Sequence, residues 1–260
     1  MTQASRSSEA SSEMPSPEAL ALAAHKLNTP VACIHGFVLT LLQRGDQLDA
    51  ATRQEFLQTV LAQSTRLQVM LRDFLLLLRI QAGAAPVYAP VSPQAVFDDV
   101  CDQLGERAVR VRLTGDLRAQ AITDATLVGA ALRALVDNAL TYGPRDEEVS
   151  VHVAIDASGS RWEVRDGGAW LSQEVLDRLF VPFQRAEEPV ERRGEGAGLG
   201  LAVARAAMQA VGGQVGGSLE RTTTFWLTVP HVDAGPASAL VGEQSVSRRG
   251  DSGLWESSGA

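Results

Sequence analysis

Cysteine is nearly missing from this chain. Cys33 and Cys101 are the only two, too few for a disulfide framework or a cysteine-built metal site, and both read as small apolar side chains. No stretch approaches the roughly 18 consecutive apolar residues that a membrane-spanning helix needs, so no membrane insertion is expected. The opening residues, MTQASRSSEASSEMPS, lack the apolar core of a secretory signal. A basic excess is also missing. The formal net charge is −8, which argues against a sequence-independent nucleic-acid binder. Lys26 is the only lysine, so the other 22 basic residues are arginine, a bias that genome composition explains. What is present is 260 residues, 45% of them hydrophobic. That is enough for one large domain or two small ones with a real core, in a protein expected to be cytoplasmic, soluble and metal-poor.

Residues 1–16 are rich in Ser, Glu and Pro and are expected to be disordered, as is the tail 232–260. Between them lie two units. In the first, 17–83, Leu20, Leu27, Val31, Ile34, Val38 and Leu41 recur at helical steps, and Phe56, Val60, Leu67, Met70, Phe74 and Leu77 repeat the pattern. The short linker RGDQLDA folds the two helices into an antiparallel hairpin. Two such stripes are too much apolar surface for a lone hairpin, and dimerisation into a four-helix bundle would bury them. Gly83 ends the second helix.

The second unit, 84–231, has a different pattern. Ser92 and Pro93 start a helix. Val109, Val111 and Leu113 alternate with Arg110 and Arg112, as in a half-buried strand. Asp124 caps a helix that runs to Tyr142. Val149 to Ile155, Arg161–Arg165 and Phe225 to Val229 read as further strands, with helices after Ser172 and Gly198. Strands and helices mix without strict alternation, which predicts an α+β sandwich with helices on one sheet face.

Four short segments carry chemistry. His25–Lys26–Leu27–Asn28–Thr29–Pro30 lies in the first stripe, with His25 off the apolar seam and therefore facing solvent. An exposed imidazole is a competent nucleophile near neutral pH, and a proline inside a helix removes a backbone bond and kinks it. Asp137 to Tyr142 closes the capped helix. The Asn138 amide oxygen is a hard ligand of the kind Mg²⁺ takes alongside phosphate oxygens, and the Tyr142 ring could cover a base. Asp166–Gly167–Gly168 follows a strand, where a carboxylate could accept from an exocyclic amine and glycine lets a flat ring approach. Gly194 to Gly200 alternates glycines at the start of a helix, exposing N–H groups to phosphate. It is neither a Walker motif nor a Rossmann fingerprint. Before it, Gln184 to Arg193 carries Arg185, Arg192 and Arg193, which suits a mobile cationic lid.

The first three segments alone each have an ordinary reading: an exposed helical histidine, a polar helix end, an Asp-Gly turn. Their order and spacing together resemble the catalytic core of bacterial sensor histidine kinases over residues 17–231. His25 to Pro30 resembles the H-box, Leu135 to Tyr142 the N-box and Asp166 to Leu171 the first glycine box. Phe180 to Phe183 resembles the F-box and Gly196 to Leu201 the second glycine box. The resemblance implies a Bergerat ATP-binding sandwich joined to a dimerising hairpin, with ATP and Mg²⁺ as cofactors. It implies His25 as phosphoacceptor, flanked by Lys26 and Thr29, the threonine supporting dephosphorylation of the partner. Asn138 would be the Mg²⁺ ligand, Tyr142 would line the adenine pocket and Asp166 would bond the adenine amine, with Gly168 allowing close approach. Arg185 would reach the phosphates, and Gly196, Gly198, Leu199 and Gly200 would shape the lid hinge and cradle. The implied partners are a second copy of the chain and a response-regulator receiver domain. The input would come from a separate sensor protein, from the N-terminal tail, or from segments outside an excised core.

Five positions depart from the family pattern. Lys26 stands where an acidic residue usually helps deprotonate the imidazole, and a cation there cannot accept that proton. Asn28 replaces an arginine, Ala134 the first N-box asparagine and Thr141 a lysine. Trp170 replaces a glycine beside the pocket. Two functions compete on these grounds: an autokinase that passes its phosphoryl group to a receiver aspartate, and a degenerate kinase acting as phosphatase, phosphorelay or docking scaffold. A gyrase- or MutL-like ATPase fits poorly, because the H-box lies on a dimerising hairpin.

Overall fold

The computed structural model describes residues 17–168, 176, 178–182, 198–218 and 224–231. The tails, Trp170 and the 184–193 lid fall outside them, as does most of the helix expected after Ser172. Of that helix, Leu176 and residues 178–179 are helical.

The chain begins with α1 (Pro17–Arg44), which runs on through Pro30, and α2 (Ala50–Gln81). The Asp49 carboxylate caps α2 by accepting from the Thr52 N–H at 2.8 Å, and Gly83 leaves the helix at φ +74°. The two helices pack antiparallel, with the Phe37 and Phe56 rings edge to face at 4.8 Å. The apolar stripes expected from the sequence are only partly covered. Met70 is buried, but Val31 is 46% exposed and Val38, Leu39, Leu42, Leu57, Leu61, Leu71 and Leu75 are also open. A single hairpin has one inner seam, and these side chains are wider than it.

The second unit contains β1 (Ala89–Val91), α3 (Pro93–Leu104), β2 (Val111–Gly115), β3 (Ala121–Thr123) and α4 (Ala125–Tyr142). Next come β4 (Val149–Asp156), β5 (Gly159–Arg165), α5 (Gly200–Ala210), β6 (Gln214–Ser218) and β7 (Thr224–Pro230). The main sheet has the order β2-β4-β5-β7-β6, with β2 parallel to β4 and the other neighbours antiparallel. β1 and β3 form a separate antiparallel pair. Alternation sends one row of each strand inward, so Val153, Trp162 and Leu227 line up across three strands, as do Val151, Val164 and Phe225. Helices α4 and α5 cover this face, and α3 lies along α4. Leu132, Leu135 and Val136 of α4 are wholly buried. The opposite face is polar: the Arg161 guanidinium bonds Glu163 at 3.0 Å and sits 4.8 Å from the Trp226 ring centroid.

The α+β sandwich with helices on one face is as the sequence predicts, and so are the capped starts of α3 and α4. One expectation fails. Val109 and Arg110 are not strand residues but belong to a 3-10 turn, Gly105–Arg110, where Val109 is 82% exposed. Gly105, at φ +59°, turns the chain out of α3. The strand begins only at Val111, where pairing with Val149 starts. Strand β6 has no sequence signature because of its glycines, and those glycines are what admit it to the sheet. A Cβ on Gly216 would stand 2.7 Å from the Trp226 ring, and one on Gly217 would stand 2.8 Å from Leu176.

The hairpin meets the second unit along α2. Asp73 of α2 forms an ion pair with Arg133 of α4, and both side chains are 6% exposed. Arg72 donates to the Gln103 amide oxygen of α3 at 2.8 Å, and α2 also packs on α5. The connecting segment is tied down by the Asp124 carboxylate, which accepts from the Val87 N–H at 2.8 Å.

Candidate functional site

On α1, His25, Asn28 and Thr29 are exposed, Lys26 is half-buried and Pro30 is buried. The imidazole therefore projects from the hairpin instead of packing into it. Pro30 has no N–H for the Lys26 carbonyl. One residue earlier, the Thr29 hydroxyl donates to the His25 carbonyl at 3.1 Å.

The rest of the site is built on α4. Asp124 caps its start, one carboxylate oxygen accepting from the N–H groups of Thr126 (2.9 Å) and Leu127 (3.1 Å). The fixed helix carries Ala134, Asn138 and Tyr142 one turn apart. Asn138 and Tyr142 are half-buried, Ala134 fully buried. Two other segments converge on this row. At its C-terminal end, Gly143 lies against Asp166, and a Cβ there would stand 2.9 Å from the Asp166 Cβ and 2.6 Å from the Ala139 carbonyl. At its N-terminal end, Gly200 opens α5 against α4, its missing Cβ 3.5 Å from that of Ala134. The two contact points are roughly 13 Å apart along the helix at 1.5 Å per residue, and Asn138 lies between them. The departure at Ala134 thus has a local reason: it is the floor on which the start of α5 rests.

Asp166 is 5% exposed. One of its oxygens accepts from the Gly168 N–H at 2.8 Å. Burial pushes its carboxyl above the usual carboxylate range, with the Gly168 N–H opposing and the Glu147 carboxylate adding to the rise. Glu147 presses on the same turn, an oxygen 2.0 Å from where a Gly167 Cβ would stand, at φ +64°. Gly198 has φ +74° and Leu199 is buried. Phe180 is buried edge to face with Phe225 at 6.4 Å, under the Arg205 guanidinium at 4.7 Å. Arg185 and Gly196 lie outside the described residues. The structure therefore gathers Asn138, Tyr142, Asp166, Gly168, Gly198, Leu199 and Gly200 around α4, and places His25, Lys26 and Thr29 on α1. Glu147 and the Asp73–Arg133 pair were not signalled by the sequence. Both depend on contacts across a turn or between units that no local pattern encodes.

Among the described residues no group of three or more His, Cys, Asp or Glu side chains could hold a cation alone. A Mg²⁺ here would share the Asn138 amide oxygen with phosphate oxygens, the donor set that ion favours. The arrangement can take a nucleotide, with a buried carboxylate just past the C-terminal end of α4 and the N–H groups of a helix start against its middle.

Comparison with known proteins agrees with this layout. Residues 123–233 match the family model of histidine kinase-, DNA gyrase B- and HSP90-like ATPases. Residues 18–83 match that of the His Kinase A (phospho-acceptor) domain. The sensor protein PfeS of Pseudomonas aeruginosa is 34% identical over 141 residues, covering 53% of this chain and 30% of its own length. The sensor-like histidine kinase SenX3 of Mycobacterium tuberculosis is 29% identical over 186 residues, covering 70% and 45%. The chain thus spans less than half the length of these relatives. Among solved structures, the Acinetobacter baumannii histidine kinase AdeS superposes with a TM-score of 0.62 at 21% identity, covering 80% of this chain and 98% of that one. The histidine kinase ThkA, solved in complex with the response regulator protein TrrA, superposes at 0.61 and 18% identity, covering 83% and 62%. A phospho-acceptor hairpin thus precedes an ATPase sandwich, and the chain carries the two domains of a histidine kinase catalytic core.

Proposed function

We propose that the chain is an ATP-dependent protein-histidine kinase of a two-component system, with an ATP-binding sandwich at 84–231 and a phosphoacceptor hairpin at 17–83. In this reading Asp166 accepts a hydrogen bond from the adenine amine, Tyr142 borders the base, and Gly168 admits it. Gly196, Gly198, Leu199 and Gly200 lead the chain past the phosphates into α5, and Arg185 supplies a cation to them. Mg²⁺, held through Asn138, would neutralise charge on the phosphate oxygens. The Nε2 lone pair of His25 forms the new N–P bond as the bond from the γ-phosphorus to the bridging oxygen breaks, and ADP leaves. The phosphoryl group then passes to an aspartate of a response-regulator receiver domain, and Thr29 assists the later attack of water on that phosphoaspartate, which releases inorganic phosphate. The uncovered leucines and valines of the hairpin support a homodimer. A cytoplasmic setting follows from the ATP supply the reaction needs.

The observation that carries this reading is the convergence of the Asp166 turn and the start of α5 on either side of Asn138, with His25 projecting from α1. Incubation with γ-labelled ATP tests it. Acid-labile, base-stable label is expected, lost in His25→Gln and in Asn138→Ala. Label that survives His25→Gln refutes the phosphoacceptor. Lys26 favours a second reading, a degenerate kinase that serves as phosphatase, phosphorelay or scaffold. It predicts little label in the native chain together with faster loss of phosphate from a receiver domain.

A further inference from the structure

Two arginines outside every motif grip α4 and the connection that leaves it from one short turn. Arg107 and Arg110 lie at the third and last positions of the 3-10 turn Gly105–Arg110. The Arg107 guanidinium donates to the Asp137 carboxylate at 2.5 Å and to the Thr141 hydroxyl at 3.1 Å. Asp137 and Thr141 are four residues apart, so they share one stripe of α4 and bracket Asn138 on the neighbouring stripe. Arg110 donates to the Pro144 carbonyl at 2.5 Å and to the Glu147 carbonyl at 2.6 Å and 3.2 Å. Those carbonyls belong to the connection that leaves α4 and carries the Glu147 side chain onto Gly167, next to Asp166.

Stability is a poor explanation for the first grip. Arg107 and Asp137 are 49% and 37% exposed, and exposed pairs of that kind contribute little to folding. Orientation is a better one. A guanidinium fork fixes direction as well as distance. Here one fork sets the rotation of the last two turns of α4, and the other sets the path of the chain between Tyr142 and the Asp166 turn. We propose that Arg107 and Arg110 are positioning residues for the nucleotide site, acting through α4 and the 143–148 connection. This rests on the reading of Asn138 and Asp166 as ATP-binding residues.

The test is binding of trinitrophenyl-ATP with Mg²⁺ to the full chain, measured beside the urea midpoint. Arg107→Gln and Arg110→Gln are expected to weaken binding roughly tenfold, the usual scale for removing a support behind a ligand-holding group. The Arg107→Gln urea midpoint should stay at the wild-type value. Arg107→Lys should recover part of the affinity through its single contact with Asp137. Arg110→Lys should also recover part of it, because a single nitrogen of Arg110, Nη2, meets both carbonyls and an ammonium can do the same, losing only the Nε–H bond to Glu147. If both glutamine variants bind within twofold of wild type, the proposal is overturned. It is also overturned if Arg107→Lys and Arg110→Lys bind no better than the glutamine variants, or if each loss of affinity is matched by an equal loss of folding stability. Unchanged binding in Asn138→Ala and Asp166→Ala would instead overturn the underlying site assignment, and this proposal with it.

Discussion

The buried pair between Asp73 and Arg133 makes an asymmetric prediction. Each side chain is 6% exposed, so removing either partner strands the other away from water. Breaking a buried pair in this way costs about 3–5 kcal/mol. The two partners are not equivalent, however. A guanidinium cannot shed its proton inside a protein, so Asp73→Leu should lose the full amount. A carboxylate can escape by taking up a proton. Burial already pushes Asp73 above its ordinary value, and the attraction of Arg133, with a smaller one from Arg72, opposes that. In Arg133→Met most of the opposition is gone and the Asp73 pKa rises further, so this variant should lose less than Asp73→Leu.

The sign of the pH dependence follows from linkage. A folded-state pKa above the unfolded value means that the native protein binds the extra proton. Arg133→Met should therefore be most stable below the ordinary Asp range. It should weaken as pH rises toward the elevated value, by up to about 1.4 kcal/mol per pH unit. Asp73→Leu has no such group and should lack that slope. The double variant Asp73→Leu/Arg133→Met should return close to wild type, because well-packed apolar replacements of buried pairs are often neutral or stabilising. Urea unfolding followed by tryptophan fluorescence reads all three, since Trp162 and Trp226 lie in the sheet that α4 covers. A cost below about 1 kcal/mol for Asp73→Leu, or no recovery in the double variant, would refute the argument, because the pair would then not be sealed between the hairpin and the sandwich.

Two shorter predictions concern the site. In the proposed site the ionised Asp166 accepts from the adenine amine more strongly than the neutral acid would, and its pKa is raised by burial and by Glu147. Nucleotide affinity should therefore fall as pH drops through a value above the usual Asp range, and Glu147→Gln should move that fall to lower pH; an unmoved acid limb in titrated binding contradicts the coupling. Lys26 sits beside the proposed phosphoacceptor where an acidic group would assist proton removal, so Lys26→Glu should raise the initial rate of His25 labelling by about tenfold or more. An unchanged rate would show that this position does not limit the chemistry.

Much of the architecture was legible before any coordinate. Helices α1 to α4 were readable because their apolar spacing, the Ser92 and Asp124 caps and the Gly83 stop are local signals that tertiary packing did not override. Strands β4, β5 and β7 were readable because one face is buried and the other wet, so period-two alternation survives in the sequence. Strands β1 and β3 are three residues each, too short for any period to register, and the glycines of β6 conceal a strand that exists only beneath Trp226 and Leu176. Val109 misled because an apolar residue two positions before Val111 completes an alternation that the backbone, turning at Gly105, never follows.

The chain by itself determined which chemical groups are available and in what order, because motif order and helix caps are properties of neighbours along the backbone. Tertiary structure alone decided which of those groups meet. Ala134 faces Gly200, Gly143 admits Asp166, Arg107 reaches α4 from thirty positions away and Arg110 the connection after it from thirty-four, and Asp73 finds Arg133 across sixty. Such contacts leave no periodic trace in a sequence, since closing a long loop costs entropy that depends only weakly on its length and not on the identity of the residues inside it.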